Sequence, residues 1–545
     1  MSAPATDRRV VVVTGGGGGI GAAIATELGR RGDHVVTVDP LVSVDGTEAL
    51  APAAETTADR IVAAGGSAET SNASVTDGDA LAAMFSSLVS THGRLDAVVN
   101  VAGITRPTSF AKGTDADWAA VLAVHLDGYC NVLSAALPHL AEAGRGAILG
   151  VTSGSGWRAA DAGAYSVAKR AVASLTWELG RVAPPGVTVN AISPIAMTRM
   201  VTAALARAGG SGAAKPGGTA KTGGLSLAAM PAPEELAPLA AHLVGPDVAQ
   251  RAQILFAGGS EVATVEPPRL IEVVRTSEVV SLDAVVDGFL DALVAAELAQ
   301  ATTGGANPRF AALFGAGSPG EVTRRGDRGT VVVVTDRSGM GAALVSQLEA
   351  AGMAAEIFSS DALGPGFAGA RSALERAGAT QGGIDAIVVA TTPPHVWGQD
   401  WPSVLASHGG LADTLHGDAS WNRAAADLAT EERPMRVVHV IDAASAGGRS
   451  RAQAAAQQAR MSRKTTGDRV AAFAIGLEDV AEAEVAAAVA ARLATTADVT
   501  LSGAELAVGT GWLGLRSHPR PGASMVYGGP DLPPWFDTLL GEISS

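Results

Sequence analysis

From Arg8 the apolar positions run unbroken through VVVV, give way to glycines, recur at helical spacing from Ile20 to Arg31, and return as a second run from His34 to Asp39. An unbroken apolar run of this length marks a strand covered on both faces, whereas recurrence every three or four residues marks a helix with one buried face. The opening therefore predicts a βαβ unit. The alternation continues with a helix around Asp79 to Thr91, the strand LDAVVNVAG, a helix around Trp118 to Leu140, the strand AILGVTS, a long helix near Tyr165 to Val182 and the strand VTVNAIS. Parallel neighbours need a crossover connection, so this order predicts an α/β fold with a doubly wound parallel sheet.

Between Arg199 and Pro233 the pattern collapses into Gly, Ala, Ser, Thr and Lys, which predicts a flexible loop over residues 199–233. A short strand, ILFAGG, precedes a segment with one amphipathic helix carrying Leu282, Val286, Phe289 and Leu293 along a face, and then a glycine-rich linker. At Thr330 the opening pattern restarts. GTVVVVTDRSGMGAALVSQLEAAG can be laid beside RRVVVVTGGGGGIGAAIATELGRRG, and IDAIVVATT, MRVVHVIDAASAGG and DRVAAFAIG answer LDAVVNVAG, GAILGVTSGSGW and GVTVNAISP in the same order. Two tandem copies of one sheet architecture follow, with expected boundaries at 1–262, 263–329 for the helix and linker, and 330–545.

Composition narrows the class. The 545 residues are 47% hydrophobic and 17% charged, ample for large cores, and 39 basic against 54 acidic residues leave a net charge of -15, the wrong sign for neutralising nucleic-acid phosphates. The single cysteine, Cys130, cannot close an internal disulfide and falls among apolar neighbours, which suits a buried thiol and a reducing cytoplasm. The opening MSAPATDRR lacks the apolar core of a secretory signal, and the strongly apolar stretches are short or broken by Gly, Pro and charge, so no membrane is expected. Ten histidines show no pair at helical ligand spacing and no cysteine pair accompanies them, so no metal is expected.

The chemistry concentrates in the first copy. TGGGGGIG puts Gly15, Gly19 and Gly21 between a strand and a helix, where missing side chains let backbone N–H groups and the helix dipole approach a pyrophosphate. Asp39 ends the next strand, 18 residues after Gly21, where a carboxylate can accept from ribose hydroxyls and repel a 2'-phosphate, favouring NAD over NADP. In AYSVAK, Tyr165 and Lys169 share a helical face in a chain with only three tyrosines. A phenol with an ordinary pKa of about 10 is a poor acid–base group at neutral pH, and an adjacent ammonium is expected to lower that value. Ser153, at the end of AILGVTS and 12 residues before Tyr165, can reach the same crevice.

On these motifs the first 262 or so residues resemble the short-chain dehydrogenase/reductase family, whose fold is of the Rossmann type. The resemblance implies that Ser153, Tyr165 and Lys169 are catalytic, with Tyr165 moving the proton, Ser153 orienting the carbonyl, and Lys169 lowering the phenol pKa while holding the nicotinamide ribose. It implies NAD contacts from Thr14, Gly15, Gly19, Ile20, Gly21, Asp39, Asn100, Ala102, Gly103, Tyr165, Lys169, Pro194 and Thr198. Departures from the family pattern include the serine spacing, which leaves Ser155 as an alternative to Ser153, and His125 in VHLDG where asparagine is common, for which a proton relay and a core role both stand. Ser74 replaces an adenine-binding aspartate, and Ile195 a glycine.

VHLDGYCNVLSAALPHL, NAISPIAMTRM and ILFAGGSEVATVEPPRL look most like the (3R)-hydroxyacyl-CoA dehydrogenase unit of peroxisomal-type multifunctional enzymes. That implies a hydroxyacyl thioester substrate; a hydroxysteroid, a 3-oxoacyl thioester for reduction, and a non-enzymatic NAD-binding scaffold are the alternatives.

The second copy is expected to be silent. Asp336 stands where Gly15 does, Ser359 and Ser360 fall near the place of Asp39, and Ser445 survives, but Gln457 or Gln458 occupies the place of the phenol. Tyr527 has no lysine four residues on, and Trp397, Trp401 and Trp421 are expected to fill a core or an interface. Family members associate through the two long helices flanking the catalytic strand, so the resemblance implies a homodimer imitating a tetramer.

Overall fold

The computed structural model describes residues 8–544 other than 52–54, 159–160, 203–229, 276–281, 304–328, 337, 360–365, 392–397, 480–481 and 529–530. Nearly all of the expected loop at 199–233, most of the linker, Ser360 and Trp397 lie outside the described residues.

The first half contributes β1 (Val10–Thr14), β2 (His34–Val38), β3 (Ser67–Ser71), β4 (Ala97–Asn100), β5 (Gly146–Val151), β6 (Val187–Pro194), β7 (Ile254–Gly258) and β8 (Glu261–Glu266), followed by β9 (Leu270–Arg275). The second half contributes β10 (Thr330–Thr335), β11 (Ala354–Ser359), β12 (Ala386–Ala390), β13 (Met435–Asp442), β14 (Val470–Leu477), β15 (Glu505–Gly509), β16 (Trp512–Arg516) and β17 (Arg520–Val526). They form a nine-stranded sheet, β17-β8-β7-β6-β5-β4-β1-β2-β3, and an eight-stranded sheet, β11-β10-β12-β13-β14-β15-β16-β9. Among the described residues the two parallel cores share one order, with no counterpart of β3 in the second. In the first sheet the order reverses at β1 and β4, and the crevice beyond the carboxyl ends of such a pair is where an α/β sheet takes its ligand.

The sheets do not follow the boundaries expected from the repeat. Immediately after β8 the chain crosses over, so that β9, inside the expected 263–329 linker, pairs antiparallel with β16 of the second sheet. Symmetrically, β17 leaves the second half and pairs antiparallel with β8. The physical reason is edge capping: an unpaired strand leaves a row of N–H and C=O groups to satisfy, and each half closes the other's edge. The closing helix Phe536–Ser544 likewise buries Phe536 and Leu540 in the first half's core beside Leu236 and Leu239.

Five helices matter below: α1 (Gly19–Arg30), α2 (Gly128–Ala143), α3 (Ala164–Val182), α4 (Leu411–Leu428) and α5 (Ala446–Thr466). The run Asp115–Ala143, which contains α2, is long and apolar enough to cross a membrane by composition, and its Trp118, Val121, Tyr129, Leu133 and Leu137 are buried within the protein. The halves meet through α3 and α5, and one apolar cluster joins Val167, Ala171 and Leu175 to Leu411, Leu415, Ala454 and Met461. Trp401 packs on that cluster, and Trp421 lies in the second half's own core. Around the contact, Arg449 makes a forked ion pair with Glu178 at 3.1 and 2.7 Å, and Arg170 lies 3.8 Å from Glu505, both buried.

Ending the chain at residue 519 would remove β17 and the burial of Tyr527, Phe536 and Leu540, each large side chain contributing about 1.5–3 kcal/mol. The expected result is a lower thermal midpoint and self-association through the uncovered β8 edge. Calorimetry and size-exclusion chromatography would check it; a midpoint equal to that of the full chain would deny the exchanged strand its role.

Candidate active site

The crevice begins at the end of β1. Thr14 is buried and donates from Oγ1 to Asn100 Oδ1 at 2.6 Å, while the Ala102 N–H reaches the same hydroxyl at 3.3 Å, tying β1 to β4 across the switch point. Gly15 turns the chain with φ +68°, and a Cβ there would stand 2.9 Å from the Ala102 nitrogen. A Cβ on Gly21 would meet the Gly15 carbonyl oxygen at 2.2 Å, so α1 can start this close to the strand only with glycine at both places. Gly18 caps α1 without any side-chain hydrogen bond, which leaves the first-turn N–H groups facing the crevice.

Asp39, half-buried past β2, accepts from the Gly17 N–H at 3.1 Å and the Leu41 N–H at 2.9 Å. Opposite it is a cation that the sequence reading did not pick out. A Cβ on Gly18 would stand 2.6 Å from Arg199 Nη2, so this guanidinium lies over the glycine loop. Its position in a Gly/Ala-rich stretch hid it, and only its distance of one residue from Thr198 could have signalled it.

These groups line a cavity of about 1310 Å³ together with Gly19, Ile20, Gly103, Ser153, Tyr165, Lys169, Pro194 and Thr198. Of the residues expected to touch a dinucleotide, Thr14, Gly21 and Asn100 stand behind the wall and shape it. The glycine cradle, the uncapped helix start, a carboxylate at one end and a guanidinium over the loop fit a dinucleotide, and the volume exceeds that of an ordinary small-ligand pocket.

At the other end, Ser153 follows β5 and lines the same part of the cavity as the Tyr165 phenol. Ser155 donates to Ser153 Oγ at 3.1 Å, so it backs Ser153 rather than replacing it. Lys169 is buried one turn along α3, donates to the Val151 carbonyl at 2.6 Å, and lies 5.7 Å from the Tyr165 ring centre. A π-helical turn at Ala123–Asp127, just before α2, swings His125 inward. Its ring meets Tyr165 edge-on at 5.0 Å between centroids, its Nε2 is 2.8 Å from the Ile104 carbonyl, and its buried Nδ1 has no partner among the described residues.

The titration of this end departs from the expectation of an acidified phenol. Burial raises the Tyr165 pKa above its ordinary value, with the Ser153 hydrogen bond pulling it partly back. Burial also takes Lys169 down to about 7, and burial with the nearby Lys169 charge takes His125 to about 3. With no counter-ion beside any of them among the described residues, desolvation outweighs the lysine's field and favours all three neutral forms.

The corresponding positions of the second half carry other groups. Arg451, fully buried, pairs with Asp418 at 2.8 and 2.7 Å and donates to Thr391 Oγ1 at 2.8 Å, and Thr391 stands where the first half has Ala102. Gln458 bonds the Leu415 carbonyl and Asn422, and Ser445 caps α5. Away from the crevice, at the opposite ends of the strands, His34 and His92 approach Glu69 at 3.6 and 3.3 Å, a grouping that no local spacing announced.

Residues 9–208 match the family model described as short chain dehydrogenase. A short-chain type dehydrogenase/reductase of Mycobacterium tuberculosis is 32% identical over 264 residues, 48% of this chain and 86% of that protein. The chain therefore belongs to the short-chain dehydrogenase/reductase family, oxidoreductases that bind a nicotinamide cofactor. The acetoacetyl-CoA reductase of Cupriavidus necator is 35% identical over 189 residues, 34% of this chain and 74% of that protein. Peroxisomal multifunctional enzyme A of Dictyostelium discoideum is 33% identical over 194 residues, 35% of this chain, and the match spans less than half, 43%, of that relative's length. The crystal structure of the N-domain of a bacterial malonyl-CoA reductase covers 89% of this chain and 95% of its own, with TM-score 0.59 and 17% identity, which shows a shared fold through both halves.

Lys169 gives a test of the burial argument. Between its folded value of about 7 and the ordinary 10.5 the unfolded chain holds a proton that the folded chain does not, so this position adds stability as pH rises from 7 and loses it as pH falls back. A Lys169→Met variant lacks that dependence. Its stability advantage over the unliganded parent should be largest at pH 7 and shrink towards pH 10 by roughly 1 kcal/mol per pH unit. Urea unfolding at pH 7 and 9.5 reads the difference, and a pH-independent gap would mean that the ammonium keeps its hydration.

Proposed function

We propose that the chain interconverts a secondary alcohol and its ketone with NAD(H), acting on a hydroxyacyl thioester. The observation that carries the reading is the convergence of Ser153, Tyr165 and Lys169 on one end of a cavity whose other end is the glycine loop. Bound NAD(H) supplies or accepts the hydride. The chain's own groups manage the oxygen: in reduction the phenol of Tyr165 and the hydroxyl of Ser153 donate to the developing alkoxide, and in oxidation Tyr165 takes the hydroxyl proton once its own has passed to the neutral amine of Lys169 or to water in the crevice. A phenol kept protonated by burial suits the donating role, and a lysine near neutrality can return the proton through the crevice.

Asp39 supports NAD over NADP, because each of its oxygens accepts a backbone N–H and retains a lone pair for a ribose hydroxyl, while its charge opposes a 2'-phosphate. The thioester is supported by the acetoacetyl-CoA reductase among the relatives and by Lys112 in the cavity lining, where it offers charge to an anionic carrier.

Steady-state assays with NAD and NADP across hydroxyacyl thioesters and hydroxysteroids test the proposal. Tyr165→Phe should lower kcat at least 100-fold, as loss of positioned proton transfer does, with cofactor still bound. Turnover equal to the parent would leave only a binding scaffold, and equal kcat/KM for the two cofactors would remove the role of Asp39. A cytoplasmic homodimer with two active sites is the proposed assembly, supported by the internal repeat. Light scattering should give twice the chain mass of 54.3 kDa, and a mass of one chain would refute it.

A further inference from the structure

The silent half reaches into the catalytic loop of the active one. Gln457, fully buried in α5 at a position where the repeat leads to the phenol, donates from Nε2 to two carbonyls of the first half: Ser155 at 2.9 Å and Arg158 at 2.7 Å. Its Oε1 is 3.5 Å from Arg460 Nη1, and Arg460 is itself anchored to the Gly503 carbonyl at 2.9 Å. Two turns further on, Thr465 donates to Asp161 Oδ2 at 3.2 Å, while Asp161 Oδ1 accepts the Phe110 N–H at 2.6 Å.

Ser155, Arg158 and Asp161 all belong to the segment that joins Ser153 to Tyr165. The line of contact runs from Gln457 to the Ser155 backbone and from the Ser155 hydroxyl to Ser153, which lines the cavity together with Tyr165. Ser155 and Asp161 also line the cavity. A primary amide carries two N–H donors on one nitrogen, which suits it to fasten two carbonyls of one bend at once.

Resting on the acid–base reading above, we propose that Gln457 and Thr465 are positioning residues for the reaction. The second half has lost its own phenol and holds the first half's Ser153–Tyr165 segment at three points, setting the distance between the two groups that grip the substrate oxygen. Reacting groups held within a fraction of an ångström contribute heavily to rate, and a displacement near 1 Å costs on the order of 100-fold. The glycine loop and Asp39, which belong to other segments, are outside this hold.

Gln457→Met keeps the length of the side chain and removes both donors. On the full-length chain, kcat should fall about 10- to 100-fold while the dissociation constant for NAD(H), read by fluorescence, stays within about twofold. Thr465→Val, an isosteric change at an exposed position, should lower kcat about threefold without altering the thermal midpoint. A kcat within twofold of the parent for Gln457→Met overturns the proposal. So does a parallel loss of turnover, cofactor affinity and thermal midpoint, which is the signature of a support for the whole fold. If Gln457→Met is not recovered folded, Thr465→Val decides, and parental kcat there overturns it. Tyr165→Phe separates the two claims: parental turnover in that variant removes the acid–base reading, whereas an inactive Tyr165→Phe beside an unimpaired Gln457→Met removes the positioning claim alone.

Discussion

The contact between α3 and α5 is the constraint on which the rest of the molecule depends. Both helices are buried along nearly their whole length, yet they carry Lys169, Arg170, Arg451, Gln457, Gln458 and Arg460. A helix surrounded by protein must find partners for every such group inside the protein, because leaving one unpaired costs more than the pair is worth. Most find them in their own half, Lys169 at the Val151 carbonyl, Arg451 at Asp418, Gln458 at the Leu415 carbonyl and Arg460 at the Gly503 carbonyl, while Arg170 and Gln457 reach across to Glu505 and to the Ser155 and Arg158 carbonyls. The arrangement specifies how the halves meet more than it stabilises them, since Arg170 and Glu505, burying opposite charges, sacrifice hydration for a contact of 3.8 Å.

That burial also sets the electrostatics of the crevice. Tyr165, Lys169 and His125 lie within one low-dielectric region, and desolvation moves all three towards neutrality. A site of neutral groups around a cavity open to an anionic dinucleotide is the condition in which a small added charge has a large effect. In the second half Arg451 and Asp418 form a buried ion pair, so there the low-dielectric interior holds compensated charges where the first half holds neutral groups.

Much of this was legible in the sequence, because it is written in local patterns. The apolar runs gave the strands, TGGGGGIG gave the loop where Gly15 and Gly21 have no room for a Cβ, and the four-residue spacing of Tyr165 and Lys169 placed both on the cavity side of α3. Ser153 and Ser155 could not be ranked from spacing, since their order depends on a hydroxyl orientation inside a short loop. What escaped was non-local. The exchange of β9 and β17 involves partners about 240 and 250 residues apart, Arg199 sits at the start of a stretch whose composition points away from structure, and Gln457 looked like a mere loss of the phenol. The expected acidification of Tyr165 failed for a related reason: helical spacing reports proximity to a charge, not how much water both groups have lost.

The exchanged strands impose an order on biosynthesis. The first sheet needs residues 520–526 to cover β8, so its edge stays open while some 250 further residues leave the ribosome. At the usual pace of 5–20 residues per second that interval lasts on the order of ten seconds or more, during which the glycine loop, Ser153 and Tyr165 have all been translated. A chain ended anywhere before β17 leaves the β8 edge of the first sheet without its partner strand, so completion of that sheet waits on the far end of the second half.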